Sequence, residues 1–301
     1  MNPYTRNNNE PYMLPSIVCY ADILGYAQQS KNALRLGKGE AFLQHLRSAL
    51  SKAYARVRQR AAKFGGEVLF DVKVFTDNIV VGFPVDEPNR GHAELELTII
   101  LNTFGELQIG LAMEGFFLRG GIAYGNHYMD EDIVYGDALL DAVALDQDGG
   151  PPRIALAASA IELVRQHLGC YGLAEWAPHF ETLLEDPDGT IFLNYLGEAF
   201  AAYPDGGIFF DIIEAHKRVV LDGLTEYRGT PGIRSKFEWA ARYHNFVCVE
   251  FAGRHPISSD PYGDELIAAA ATEAQELLNY TIDMESMAVS PARISLSPFI
   301  R

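Results

Sequence analysis

The chain has 301 residues, of which 48% are hydrophobic and 21% are charged, a composition typical of a globular protein with a buried core. Its formal net charge of −16 argues against a nucleic-acid partner, because neutralising phosphates requires a basic face. The three cysteines are far apart in apolar contexts, and neither a signal pattern nor an apolar stretch of bilayer length is present. We therefore expect buried thiols in a cytoplasmic protein with no membrane partner.

The first half of the chain predicts alternating strands and helices. Residues 1–15 are polar and predict a loose N-terminal arm. Strands are predicted at about 16–22, 67–75, 78–84, 116–125 and 133–136, and helices at about 38–63, 90–107 and 137–146. The order β-α-β-β-α-β predicts a ferredoxin-like, two-layer α+β domain over residues 16–150.

The second half predicts an α/β extension over residues 151–301, packed on the first domain or continuous with it. Strands are predicted at 153–157 and 190–195, and helices at 158–167, 206–223, 237–245 and 264–281. Residues 126–132 and 170–190 are predicted as a flexible link and a loop-rich stretch, and the last twenty residues as a tail. The pattern predicts no function for this extension.

Two segments place an aspartate at the edge of the predicted sheet. The apolar run at residues 16–21 ends on Asp22 and is followed by a turn at Gly25. Asp77 stands between two strand-like runs, as the tip of a hairpin does. Alone, each pattern is also typical of a turn or cap residue. Side by side, the two carboxylates would make a site for a hard divalent metal such as Mg²⁺.

Four motifs together resemble the class III nucleotide cyclases. They are YADILGY at residues 20–26, KVFTD at 73–77, LRGGI at 118–122 and YG at 135–136. They occur in the family's order and cover about residues 16–146. The resemblance implies a class III cyclase core, an enzyme that converts a nucleoside triphosphate into a cyclic monophosphate and pyrophosphate, and a homodimer with active sites at its interface.

The resemblance also implies a metal role for three residues. Asp22 and Asp77, with the backbone carbonyl of Ile23, would hold two Mg²⁺ or Mn²⁺ ions. One ion would activate the ribose 3′-hydroxyl, and the other would bind the triphosphate and neutralise the leaving pyrophosphate.

Substrate contacts follow from the same resemblance. Arg119 would bind phosphate oxygens, for which its planar fork of donors is suited. Lys73 matches a position that reads the base. Backbone N–H groups would cradle the triphosphate where the next helix starts; these are the amides of Ile23, Leu24, Gly25 and Tyr26. Judged without the resemblance, Arg119 is also typical of a salt-bridge partner within a strand, and Lys73 of an exposed strand lysine.

Three positions depart from the family pattern. Leu140 and Ala144 stand where the family has an asparagine and an arginine, and Ile133 where an aspartate reads adenine. With these departures, the chain is similar to the pyrimidine cyclases of bacterial anti-phage (Pycsar) signalling. The segments that carry this similarity are RGG at residues 119–121, GDALLDA at 136–142 and WAARYHN at 239–245. That subfamily implies conversion of UTP or CTP into cyclic UMP or cyclic CMP, which acts on a separate cyclic-nucleotide-responsive effector. The departures leave open a catalytically inactive nucleotide sensor or a dimerisation module.

Overall fold

The computed structural model describes residues 2–5, 10–63, 71–75, 77–85, 93–146, 150–171, 177, 179, 181–200, 207–253, 264–290 and 295–296. The strands are β1 Leu14–Ile23, β2 Asp71–Phe75, β3 Asn78–Pro84, β4 Leu118–Met129, β5 Val134–Gly136, β6 Ile154–Leu156, β7 Leu183–Glu185, β8 Ile191–Leu193 and β9 Ser295–Leu296. The helices are α1 Tyr26–Arg35, α2 Gly39–Lys63, α3 Glu94–Ala112, α4 Asp137–Ala144, α5 Ala158–Leu168, α6 Phe210–Glu226, α7 Pro231–Ala252 and α8 Asp264–Glu276. Short 3-10 helices span Tyr195–Phe200 and Leu277–Tyr280.

Within these ranges the nine strands form one sheet in the order β2-β3-β1-β4-β6-β8-β7-β9, with β5 paired to β4. All pairs are antiparallel except β4 with β6. The predicted α+β class is confirmed by this mostly antiparallel sheet with packed helices. The predicted order β-α-β-β-α-β is also present over β1 to β4, with α1 and α2 together forming the first helical connection.

Strand β1 is central because its apolar run is buried on both faces. Ile17, Cys19 and the other odd-numbered residues of β1 face the core formed with α2 and α3. Val18 faces a second cluster, which contains Tyr128 of β4 and Ala138 of α4. Burial on both faces explains why this strand is read as a continuous apolar run. It also leaves Asp22 as the charged residue at the strand's carboxyl end.

Beyond β6 a second core packs on the same sheet. It joins Phe192 of β8, Ile213 of α6 and Trp239 of α7. The parallel pairing of β6 with β4 makes the strands of the second half continuous with those of the first. Within the described part of the chain, no helix is long and apolar enough to cross a membrane.

Several local predictions are corrected by tertiary contacts. The predicted flexible link at 126–132 is largely the end of β4, and the loop-rich stretch contains β7. The predicted tail contains β9, which pairs with β7, and its Ile282 is buried. Tyr4 of the predicted loose arm is also fully buried, against the ring of His127. Short segments of this kind are ordered by partners distant in sequence, which local patterns do not reveal.

Two further differences concern the connector after β1 and the cysteines. Residues 26–35 form helix α1, which the sequence analysis did not predict because the segment is mostly polar, and the helix buries none of its residues. Cys19 and Cys248 are buried as predicted, whereas Cys170 is exposed just beyond the end of α5. Residues 67–70, the start of the strand predicted at 67–75, lie outside the described residues.

Candidate functional site

The antiparallel pairing brings Asp22 and Asp77 together at one edge of the sheet. In the register, Asp22 lies opposite Asn78 of β3, and Asp77 directly precedes that residue. The backbone N–H of Ile23 donates to the carbonyl oxygen of Asp77 at 3.1 Å, which fixes the hairpin tip against the end of β1. The carboxyl group of Asp77 lies close enough to Asp22 to raise the pKa of Asp22, through its negative charge and a side-chain interaction. The structure therefore brings the two predicted metal-binding carboxylates close together at this edge of the sheet.

Arg119 completes this edge from the other neighbouring strand. It lies opposite Asp22 in the β1–β4 register. Its Nε and Nη2 donate to Oδ2 of Asp22 at 3.3 and 3.2 Å. Its Nε also lies 2.7 Å from Oδ1 of Asp146, close enough for an ion pair although the N–H is not aligned for a hydrogen bond with that oxygen. One guanidinium thus contacts two carboxylates.

Asp146 is a member of the site that the sequence analysis missed. It follows the end of α4, and its side chain is only 12% exposed. No motif marks it, because its partner Arg119 is distant in sequence and the pair forms only when α4 packs on β4. The signal available in the sequence was its position at the end of the predicted helix at residues 137–146.

The charges of the site are unbalanced. Burial raises the pKa of Asp22 to about 6, and the negative charges of Asp146 and Asp77 add to this effect against the opposing charge of Arg119. Burial likewise raises the pKa of Asp146. Tyr20, which donates a hydrogen bond to Asn78 beside these carboxylates, has its pKa raised to about 12, first by burial and then by the same negative charges. Three carboxylates around one guanidinium would be stabilised by additional positive charge.

A small divalent ion suits this donor set. Among the residues that the structure describes, no group of three or more His, Cys, Asp or Glu side chains is arranged to hold a metal ion. Mg²⁺ commonly uses only one or two protein carboxylates and completes its shell with water and substrate phosphates. The paired carboxylates of Asp22 and Asp77 therefore fit Mg²⁺ or Mn²⁺ as ions that bind together with a phosphate substrate.

Two of the four backbone amides predicted to bind phosphate already donate to backbone carbonyl groups in the structure. The N–H of Ile23 is used by Asp77, and the N–H of Leu24 donates to the carbonyl of Phe117 at 2.8 Å. These two amides hold the sheet together. Gly25, with φ of 74°, turns the chain into α1, and the amides of Gly25 and Tyr26 remain as the candidates for a phosphate contact.

The glycine pair of β4 is explained by close packing. A Cβ on Gly120 would lie 2.0 Å from the carbonyl oxygen of Tyr20, and a Cβ on Gly121 would lie 2.5 Å from the carbonyl oxygen of Ala142 in α4. The absence of side chains lets β4 approach β1 and lets α4 approach β4. The first contact positions Arg119 against Asp22, and the second brings Asp146 within reach.

Lys73 and the three positions that depart from the family pattern are spread over β2, α4 and the residue before β5. Lys73 is on β2, opposite Val80 in the register, and its side chain is outside the description. Leu140 is 68% exposed on α4, and Ala144 is exposed on the same helix. Ile133, just before β5, is 56% exposed. The three departed positions therefore all lie on exposed parts of the chain.

Comparison with known proteins adds no assignment. Neither a scan against protein-family models nor a search of curated proteins finds a match for this chain.

Proposed function

We propose that the protein is a metal-dependent pyrimidine nucleotide cyclase, which converts UTP or CTP into the 3′,5′-cyclic monophosphate and pyrophosphate. The contact between Asp22 and Asp77, with Arg119 bound to the first of them, is the observation that carries the proposal. It is the arrangement that the cyclase resemblance requires, and it is built from residues far apart in sequence. The element order β-α-β-β-α-β and the strand order β4-β1-β3-β2 add support, since they match the ferredoxin-like core implied by the resemblance.

In this reaction the 3′-oxygen of the ribose bonds to the α-phosphorus as the bond from that phosphorus to the bridging oxygen breaks, and the hydroxyl proton is released. The divalent ions, when bound, would lower the pKa of the hydroxyl and neutralise charge on the leaving pyrophosphate. Asp22 and Asp77 supply the oxygen ligands. Arg119 has five N–H donors, and those not occupied by Asp22 can bind phosphate oxygens. Most of the rate would come from positioning and charge stabilisation.

The test is an incubation of the purified protein with each of ATP, GTP, CTP and UTP in Mn²⁺ or Mg²⁺, with products identified by mass. We expect a cyclic pyrimidine monophosphate. Asp77→Asn should abolish its formation, whereas the matched change Asp141→Asn, at an exposed carboxylate on α4, should leave it intact. Equal turnover by the wild type and Asp77→Asn would show that Asp77 does not bind the catalytic metal ions.

A catalytically inactive nucleotide sensor is the second candidate. The observation that favours it is the exposed, uncharged pair Leu140 and Ala144 at positions where the resembling family has an asparagine and an arginine. Tight nucleotide binding without product over hours would support this candidate. A dimerisation module without ligands would instead show no rise in melting temperature with any nucleotide or metal, since a ligand of the folded state must stabilise it.

The proposal includes a homodimer and a signalling role. Apolar side chains are exposed at Ile133 just before β5, at Tyr135 on β5 and at Leu140 on α4. A second copy of the chain could cover this surface. Sedimentation analysis of the wild type and of Leu140→Glu would test this. The cyclic nucleotide would serve as a second messenger in anti-phage defence and act on a separate effector.

A further inference from the structure

A cavity lies between the turn that follows β1 and the C-terminal helices. It is bordered by Leu24 and Gly25 after β1, by Phe117 before β4, and by Ile233, Lys236 and Phe237 of α7. The cavity therefore begins at the turn where the free amides of α1 lie and ends on the second half of the chain. Its wall is apolar except for a few groups, of which Lys236 carries a positive charge.

Lys236 of α7 is a half-buried cation. Its Nζ donates to the carbonyl oxygen of Gly150 at 2.7 Å, which leaves two further N–H donors. Within the described ranges, no carboxylate forms an ion pair with it. Burial lowers the pKa of Lys236, and the positive charge of Arg119 lowers it further. A buried ammonium facing a guanidinium is electrostatically unfavourable, and a bound anion would remove the penalty.

Other partly buried cations of the chain differ in this respect. Arg153 forms ion pairs with Asp186 and Asp188, and Arg234, two residues before Lys236, pairs with Glu238. These pairs show that the fold supplies a carboxylate where a cation serves only the structure. Among the described residues, the polar contact of Lys236 is with the carbonyl group of Gly150.

The position of Lys236 is fixed by its neighbour. The ring of Phe237 packs edge-on against Phe117, with 5.6 Å between centroids, and stacks on Tyr227 at 5.5 Å. Gly223 of α6 leaves room for this ring, because a Cβ there would lie 2.1 Å from it. Phe117 precedes Arg119 by two residues, so this aromatic contact anchors the start of α7 to the strand that carries the phosphate-binding arginine.

A second anchor connects Lys236 to the same strand. Gly150, which accepts its hydrogen bond, leads into the segment whose Arg153 carbonyl accepts the N–H of Gly120 at 3.2 Å. Lys236 and Arg119 are thus held on adjoining backbone segments. Arg119 contacts Asp22, and Lys236 lies near enough to Arg119 for the two positive charges to interact, which is a surrounding that suits a polyphosphate chain.

We propose that Lys236 binds the terminal phosphates of the nucleoside triphosphate, so that a residue of the C-terminal region completes the active site. The nucleotide identity of the ligand rests on the proposed function, whereas the polyphosphate chemistry rests on the two convergent cations and the cavity. Lys236 would supply in the same chain a positive charge that Ala144 cannot supply. It would also explain why α7 packs against the start of β4.

The test measures binding of magnesium tripolyphosphate to the full-length protein by calorimetry, which requires no turnover. Loss of a charge-assisted contact in Lys236→Met should weaken binding about tenfold or more. Lys236→Arg should bind within about threefold of the wild type, since the charge is kept. Lys38→Met, which removes an exposed lysine between α1 and α2, should bind as the wild type does.

The outcomes separate this inference from the cyclase proposal. Tripolyphosphate binding that depends on Lys236, in a protein that cyclises no nucleotide, would reject the cyclase and keep the phosphate site. Cyclase activity together with equal binding by Lys236→Met would reject the site and keep the cyclase. Failure of the wild type to bind tripolyphosphate would also overturn the inference.

A second measurement on the wild type covers the case in which Lys236→Met does not fold. Acetylation of lysine amines, followed by peptide mass analysis, should be slowed at Lys236 by magnesium tripolyphosphate and unchanged at Lys38. Equal acetylation of Lys236 with and without tripolyphosphate would overturn the inference.

Discussion

The carboxylate cluster at the end of β1 and the histidine cluster between α6 and α7 both hold ionisable groups away from water, and they balance charge in different ways. In the histidine cluster, the hydroxyl of Tyr195 lies 2.9 Å from Nε2 of His216, the Nδ1 atoms of His216 and His244 lie 3.0 Å apart, and Nε2 of His244 lies 3.0 Å from the carbonyl oxygen of Tyr280. Because a carbonyl only accepts, these contacts form one chain in which each neutral histidine donates once and accepts once.

The histidine chain is complete without any external group. Both histidines are fully buried, and burial lowers the pKa of His216 well below its usual range and that of His244 to about 4. Around Arg119, in contrast, burial and then the neighbouring negative charges raise the pKa of Asp22. The difference teaches that a satisfied neutral network stabilises a core, whereas crowded like charges at a sheet edge favour the binding of a cation.

The largest effect that would sharpen this contrast is expected from Asp22→Asn. If the carboxylates form the active site, cyclase kcat/KM should fall by about 1,000-fold or more. Removing one of three mutually repelling charges should also raise the free energy of unfolding of the metal-free protein at pH 7.5 by about 2 kcal/mol. Turnover assays and urea unfolding measure the two effects. A variant that is both inactive and less stable would show that the cluster is structural.

His244→Ala should show the opposite behaviour. The change leaves a cavity and removes the partner of His216, which together should lower the free energy of unfolding by about 3 kcal/mol. Cyclase kcat per folded molecule should stay within about threefold of the wild-type value. Urea unfolding with assays below the transition tests both statements. A large loss of kcat in fully folded His244→Ala would show that the histidine cluster takes part in the reaction. The contrast with the carboxylate cluster would then no longer hold.

The carboxylate cluster and the buried histidines of the chain should change the stability in opposite directions as the pH falls. Burial lowers the pKa of His127, His179 and His244 to about 4, so the unfolded chain binds protons before the folded protein does. Stability should therefore fall as pH decreases from 6.5 towards 4, by up to about 3 kcal/mol per histidine. Asp22 opposes this trend, because its raised pKa makes the folded state gain stability as pH falls through 6. Asp22→Asn should thus steepen the acid loss in urea unfolding between pH 7 and 4.5, and an unchanged slope would contradict the assignment.

The smallest expected effect is stabilisation by metal. Millimolar Mn²⁺ should raise the melting temperature of the wild type by a few degrees, since the ion binds the folded state. Asp77→Asn should lose this shift. His244→Ala should keep the shift, although its melting temperature without metal should be lower than that of the wild type. Thermal scans with Mn²⁺ and with Ca²⁺ at equal ionic strength provide the measurement. An equal shift in Asp77→Asn would place the ion elsewhere.

The sequence by itself determined the α+β class and the pairing of Asp22 with Asp77. The first depends on periodic apolar runs, and the second on a strand end and a hairpin tip that antiparallel strands bring to one edge. Arg119 was also identified, through the resemblance of LRGGI at residues 118–122 to a cyclase motif. These features are encoded locally or follow from one sheet register.

Only the tertiary structure decided which charges surround that pair. Asp146 reaches Arg119 through the packing of α4 on β4, and the contact of Phe237 with Phe117 docks α7, which carries Lys236, against the start of β4. The link between His216 and His244 likewise depends on the packing of α6 against α7. Contacts of this kind depend on how separate elements dock and on the side chains that fill the space between them. A local pattern of residues does not contain that information.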